Sequence, residues 1–275
     1  MLPNLIIIGA MKGGTTSLHS YLDLHPQISM SQVKELNFFI ADKPNWSKGV
    51  QWYESNFAGD AKIRGESSPN YTMCHLFRGV PERMYSVVPE ARLIYIVRDP
   101  VDRIASHYVH ECYKGREKQS ISKALTDLEY NHYVLCSKYY MQLGQYLNCF
   151  PPSSILIMTL EDLYRDRHRT LQTVFRFLEV DDAFCHQGFS EVLYKSDDKK
   201  RKSLVGEFAS RVPGRRLVKS LLPSRLVRAY YALSFRKVKK PTLDERLRQQ
   251  LTDHLQDDVN SLRRYTGSSF EDWSL

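Results

Sequence analysis

Leu5-Ile6-Ile7-Ile8-Gly9-Ala10-Met11-Lys12-Gly13-Gly14-Thr15-Thr16-Ser17-Leu18 is the stretch whose reading decides the fold. Three consecutive isoleucines favour extended backbone. Their lack of alternation predicts a strand buried on both faces, as in a parallel sheet. The glycines end the strand, and from Ser17 to Leu24 the residues Leu18, Tyr21 and Leu22 recur at helical spacing. Strand, glycine-rich loop and helix bring backbone N–H groups and a helix N-terminus to one point, which suits an anion. Gly9 and Gly14 have the separation of the nucleotide-triphosphatase motif G-x-x-x-x-G-K-[ST], but Thr15 fills the lysine position and Thr16 the hydroxyl position. The one lysine, Lys12, lies inside the loop. A kinase-type loop uses its lysine and hydroxyl on the β- and γ-phosphates and Mg²⁺, so this loop suits a shorter anhydride. The plain alternative is a glycine turn that holds no ligand.

Arg92-Leu93-Ile94-Tyr95-Ile96-Val97 reads as a second buried strand, followed by Arg98-Asp99-Pro100 and a helix beginning near Val101. Asp99 suits the N-cap and Pro100 the first helical turn. Arg98 then stands at the C-terminal edge of a parallel strand, where open α/β sheets bind ligands. Its guanidinium fork suits a phosphate monoester, although an ion pair with Asp102 alone also accounts for it. Lys34-Glu35-Leu36-Asn37-Phe38-Phe39 follows the turn at His25-Pro26, and Gly65-Glu66-Ser67-Ser68-Pro69-Asn70-Tyr71 precedes the second strand.

The loop Gly9 to Ser17 resembles the 5′-phosphosulfate loop of sulfotransferases that use 3′-phosphoadenosine 5′-phosphosulfate (PAPS). Arg98 to Tyr108 is similar to their 3′-phosphate motif, in which an arginine and a serine at the spacing of Arg98 and Ser106 hold that phosphate. Lys34 to Phe39 resembles the glycosaminoglycan (heparan-sulfate-type) branch, where the glutamate of a lysine-glutamate pair before two aromatics is the proposed base. The resemblance therefore implies Lys12, Gly13, Gly14, Thr15, Thr16, Ser17, Arg98 and Ser106 as cofactor contacts, with Glu35 and Lys12 as catalytic residues. Glu35 would draw the proton from an acceptor hydroxyl, with the nearby aromatics desolvating its carboxylate and raising its pKa. Lys12 would stabilise charge on the leaving phosphate. Heparan-type members tend to carry a lysine after the glutamate of the 65–71 block, where this chain has Ser67; that departs from a heparan-like acceptor site. Phenol- and steroid-type members put a histidine base in this region, and the nearest one here, His75, lies outside the block.

Further strands near 61–66 and 154–159, a helix over Leu160 to Leu178, and a leucine ladder from Leu243 to Leu262 complete the pattern. The expectation is an α/β, three-layer, P-loop-like fold with a central parallel sheet flanked by helices, forming a single sulfotransferase domain over 1–275. The resemblance is thinnest across 110–150 and 205–240, where acceptor recognition is expected. The product would be 3′-phosphoadenosine 5′-phosphate, and the acceptor a small molecule or glycan.

The net charge of +8 is uneven: residues 195–240 hold 15 Lys and Arg against 3 Asp and Glu, leaving the rest of the chain slightly acidic. Ser196 to Ser203 looks like the loop that closes over the nucleotide in relatives, which adds Lys200 and Arg201 as cofactor contacts. The segment 211–240 interleaves cations with Leu, Val, Tyr and Phe, and could meet an anionic membrane surface or an acidic acceptor. A solvated basic helix pair would carry the same composition. No recognition motif for nucleic acid accompanies the charge. Five scattered cysteines without C-x-x-C fit buried thiols in a reducing compartment, and with a strand beginning at Leu5 a cytoplasmic location is expected. The nine histidines show no metal-binding linear spacing, so no metal is expected. Two other readings stay open: a P-loop small-molecule kinase, and a non-catalytic basic module that binds membrane or polyanion.

Overall fold

Side chains of the first strand alternate between two separate cores, which places that strand at the centre of the molecule. The computed structural model describes residues 1–57, 59–190, 200–202, 235–237 and 242–275, with backbone alone for 200–202 and 235–237. The chain runs through β1 (Leu5–Gly9), α1 (Thr15–Leu22), β2 (Ile28–Met30), α2 (Gly49–Glu54), β3 (Ile63–Ser67), α3 (Val80–Val87), β4 (Arg92–Val97) and α4 (Pro100–Lys114). It continues with α5 (Ile121–Ala124), α6 (His132–Leu135), α7 (Tyr139–Leu147), β5 (Ile155–Thr159), α8 (Leu160–Arg165) and α9 (Arg167–Leu178). The last described elements are β6 (Lys200–Lys202), β7 (Phe235–Lys237) and α10 (Glu245–Thr266).

Five strands form one parallel sheet in the order β2-β3-β1-β4-β5. Leu5, Ile7, Ile94 and Ile96 point into one core with Leu18, Tyr21 and Leu22 of α1. Ile6, Ile8, Leu93, Tyr95 and Val97 point into the other, which Val259 and Leu262 of α10 help to close. On that side, α4 packs against α10 through Val101, Ile104, Leu251 and Leu255. The helices after β1 and β4 thus leave toward opposite faces. The gap between those strand ends is the switch point where ligands bind in such sheets.

The expected strands are present, with shifts of one or two residues. β2 escaped prediction because three residues at a sheet edge carry too little pattern to read. The helix expected over Leu160 to Leu178 is two helices. Asp166 leaves helical geometry (φ −141°, ψ 82°) and its side chain instead accepts from the Arg169 N–H, capping α9. The periodicity carries across this break, so spacing alone did not reveal it. The two basic portions of 195–240 meet as an antiparallel ribbon, Lys200 opposite Lys237 and Arg201 opposite Arg236. β6 lies beside α4. The rest of 211–240, and hence its membrane reading, falls outside the described residues.

Candidate active site

The glycine loop is shaped by contacts that leave no room for larger residues. A Cβ on Gly13 would come 2.5 Å from the Ile96 carbonyl, and Gly14 sits at φ +103°, where a Cβ would meet Leu160 Cδ1 at 2.5 Å. Gly14 is also the N-cap of α1, with no side chain capping the helix. The first-turn N–H groups, which a helix cannot satisfy internally, are therefore presented at the end of β1. Lys12 takes the left-handed conformation (φ 69°) within this loop. Thr15 and Ser17 are buried there.

Arg98 and Ser106 are placed as expected, one at the end of β4 and one two turns along α4. Asp99 caps the helix by accepting from the Asp102 N–H at 2.8 Å, and Pro100 opens it. Arg98 does pair with Asp102, Nη2 to Oδ2 at 2.9 Å, as the simpler sequence reading had it. That contact uses one edge of the guanidinium only. Its Nε is buried without a hydrogen-bond partner among the described residues. An orphaned charged donor at a strand end is costly unless an acceptor arrives.

Glu35 hangs on the C-terminal end of β3: its N–H donates to the Ser67 carbonyl at 3.0 Å. Glu35 and Asn37 both adopt left-handed backbone, φ 64° and φ 50°. Asn37 secures the turn, donating from Nδ2 to the Glu35 carbonyl (2.6 Å) and from its N–H to Ser68 Oγ (2.9 Å). The Glu35 carboxylate pairs with Lys34 at 3.3 Å and its side chain stays 49% exposed. The expected desolvation by the aromatic pair does not occur. Phe38 and Phe39 turn inward, where Phe38 stacks on Tyr53 at 4.2 Å. Burial lowers the Lys34 pKa, and the Glu35 charge pulls it partly back.

The glycine loop, Glu35 and Arg98 therefore meet along one edge of the sheet. Of the expected residues in the basic segment, Lys200 and Arg201 are described as backbone only, in β6 beside α4. Three features of this edge were not read from sequence. Arg103, fully buried, donates from Nε to Ser137 Oγ (2.6 Å), from Nη1 to the Met11 carbonyl (3.2 Å) and from Nη2 to the Tyr133 carbonyl. It thereby fastens the glycine loop to α4. Glu66, also fully buried, accepts from Tyr53 (2.6 Å), Ser68 (2.7 Å) and Tyr71 (2.9 Å), while burial pushes its carboxyl pKa up. This cage fixes the end of β3.

The third feature is His19 on α1, whose Nδ1 lies 3.0 Å from Ser67 Oγ. Burial, with the Lys34 charge adding to it, pushes this imidazole down to about 4. An unfolded chain binds that proton near pH 6.5. Between those values the unfolded state holds more protons, so folding stability falls as pH drops from about 6.5 to about 4, and this group adds no further pH dependence outside that window. His19→Gln is expected to flatten the fall in that window, seen in denaturant unfolding at a series of pH values. Identical slopes for both proteins would remove His19 as a source.

Residues 2–210 match the family described as Sulfotransferase domain. Heparan sulfate glucosamine 3-O-sulfotransferase 5 of Mus musculus is 32% identical over 191 residues, which take in 65% of this chain and 54% of that protein. Bifunctional heparan sulfate N-deacetylase/N-sulfotransferase 2 of Homo sapiens is 28% identical over 201 residues, 65% of this chain and 22% of that protein. The match spans about half the length of the first relative and less of the second. A sulfotransferase from Alicyclobacillus acidocaldarius shares the fold, with a TM-score of 0.73 and 22% identity over 100% of both chains.

Proposed function

The chain belongs to the family of sulfotransferase domains, and on that premise we propose that it moves a sulfuryl group from PAPS to a hydroxyl or amine of a carbohydrate acceptor. The observation that carries this reading is a pair of donor groups at the C-terminal edge of the sheet. These are the N-terminus of α1, which no N-cap side chain covers, and the buried Nε of Arg98, which has no hydrogen-bond partner among the described residues. Both fit phosphate oxygens of a nucleotide.

PAPS supplies the sulfuryl group. Gly13, Gly14, Thr15, Thr16 and Ser17 hold its 5′ end through backbone and hydroxyl donors, and Arg98 and Ser106 hold the 3′-phosphate. Lys200 and Arg201 add charge from the ribbon beside α4. Glu35 takes the acceptor proton on its carboxylate, and its exposure leaves the way open for a bulky acceptor. Lys12 and the α1 N–H groups stabilise negative charge at the departing 5′-phosphate, a role for fixed dipoles and charges. Two relatives named for heparan sulfate support a carbohydrate acceptor. A ribbon with five cations in six residues, 200–202 and 235–237, supports an acidic one.

The test is calorimetric titration with 3′-phosphoadenosine 5′-phosphate, beside adenosine 5′-phosphate and Mg-ATP. Binding that needs the 3′-phosphate is expected. Arg98→Ala should weaken it by about 10- to 100-fold, the worth of one charge-assisted bond. Equal binding of adenosine 5′-phosphate, or a preference for Mg-ATP, would replace this reading with the kinase one.

A further inference from the structure

Behind the glycine loop, three metal-type ligand atoms converge from two distant parts of the chain. His75 Nε2 and His132 Nδ1 lie 2.9 Å apart, and Cys136 Sγ lies 4.0 Å from the first and 3.8 Å from the second. All three fall within 4.8 Å of one another. A tetrahedral zinc ion with bonds of about 2.0–2.1 Å to nitrogen and about 2.3 Å to sulfur separates its ligand atoms by roughly 3.3–3.6 Å. Shifts of a few tenths of an ångström bring these atoms to that geometry. We propose that His75, His132 and Cys136 form a zinc site that staples the segment after β3 to α6.

The local construction suits this. His132 and Cys136 are four residues apart, at one turn of α6 and its C-cap, so both project from one helix face. Cys136 is buried, and His75 and His132 are partly buried. His75 also lines a cleft of about 520 Å³ with Cys74, Glu82, Gln142 and Tyr146. Three protein donors leave one tetrahedral position for water or a cleft ligand, and imidazole with thiolate is a donor set for zinc rather than for magnesium or calcium. The charge balance is mixed but workable. Arg103 stands nearby as a fixed cation. Against it, Cys136 releases its proton on binding and becomes a thiolate; the carboxylate of Glu111, 3.8 Å from His107, is already paired with Arg116 and leaves the thiolate as the compensating charge. The arrangement reaches the catalytic edge through Arg103, which contacts both His107 and the Met11 carbonyl. It departs from the sequence expectation of no metal, because 57 residues separate His75 from His132.

Cobalt(II), added to the full chain after treatment with chelator, tests the proposal independently of any sulfotransferase activity. One ion per chain is expected, with the intense visible bands of a tetrahedral ion and a thiolate charge-transfer band in the near ultraviolet. Zinc should displace it. Cys136→Ser should abolish the charge-transfer band and weaken binding by about 100-fold or more, beyond the usual cost of an outer-shell change. Cys185→Ser is the control, since Cys185 lies beside His168 on the surface and its loss should change nothing. No binding by the wild-type chain, weak octahedral-type spectra, or a charge-transfer band that survives Cys136→Ser would each overturn the site.

Discussion

Glu35→Gln is expected to lower turnover by about 10²- to 10⁴-fold, the usual worth of a positioned general base, while the affinity for 3′-phosphoadenosine 5′-phosphate stays within about twofold. The split follows from placement. Glu35 reaches the edge from the end of β3, hung on the Ser67 carbonyl and held in a left-handed turn by Asn37. The proposed nucleotide contacts come instead from the loop after β1 and from β4 and α4. Glutamine keeps the size and the backbone bonds but cannot accept the proton. Steady-state rates together with calorimetry of the same variant decide the matter. Turnover near the wild-type value would take the base role from Glu35, and a parallel loss of nucleotide affinity would mean that the substitution disturbs the loop.

Arg103→Met is expected to cost roughly 3–5 kcal/mol of folding stability, a fall in melting temperature of about 10 °C for a chain of this size. The guanidinium is 0% exposed, and its removal takes away the hydrogen bonds it donates to Ser137 Oγ and to the Met11 and Tyr133 carbonyls. Buried acceptors stripped of partners carry the full desolvation penalty. Nucleotide affinity should fall as well, because the Met11 carbonyl is the point at which α4 grips the glycine loop. Arg103→Lys should rank between the two, since an ammonium keeps the charge but cannot span three directions with a planar fork. A melting temperature within about 1 °C of wild type for Arg103→Met would show that the loop is held by other means.

These two residues were legible to different degrees. Glu35 stood out in a short local motif, whereas Arg103 stood in a motif without any sign of what it holds. Its partners at 11, 133 and 137 are brought together only when α4 packs beside the loop. The Glu66 cage is similar in part, since Tyr53 of α2 joins Ser68 and Tyr71 from the segment that follows Glu66. The supposed effect of Phe38 and Phe39 on Glu35 failed for a related reason. Neighbours in sequence need not face each other, and the left-handed turns at Glu35 and Asn37 send the carboxylate outward and the rings inward.

By itself the sequence determined the strand order's raw material: unbroken apolar runs at β1, β4 and β5, the glycines that end β1, and the capped start of α4. Each of these is a local preference, set by backbone sterics and by burial on both faces, and so can be read from a few adjacent residues. Only the tertiary structure decided that β2 joins the sheet edge, that Asp166 divides one helix into two, that the Arg98 Nε is buried without a partner among the described residues, and that His75 meets His132 and Cys136. Those outcomes depend on which segments pack together. Long-range packing selects among local options that are nearly equal in energy, and no window of sequence contains both partners.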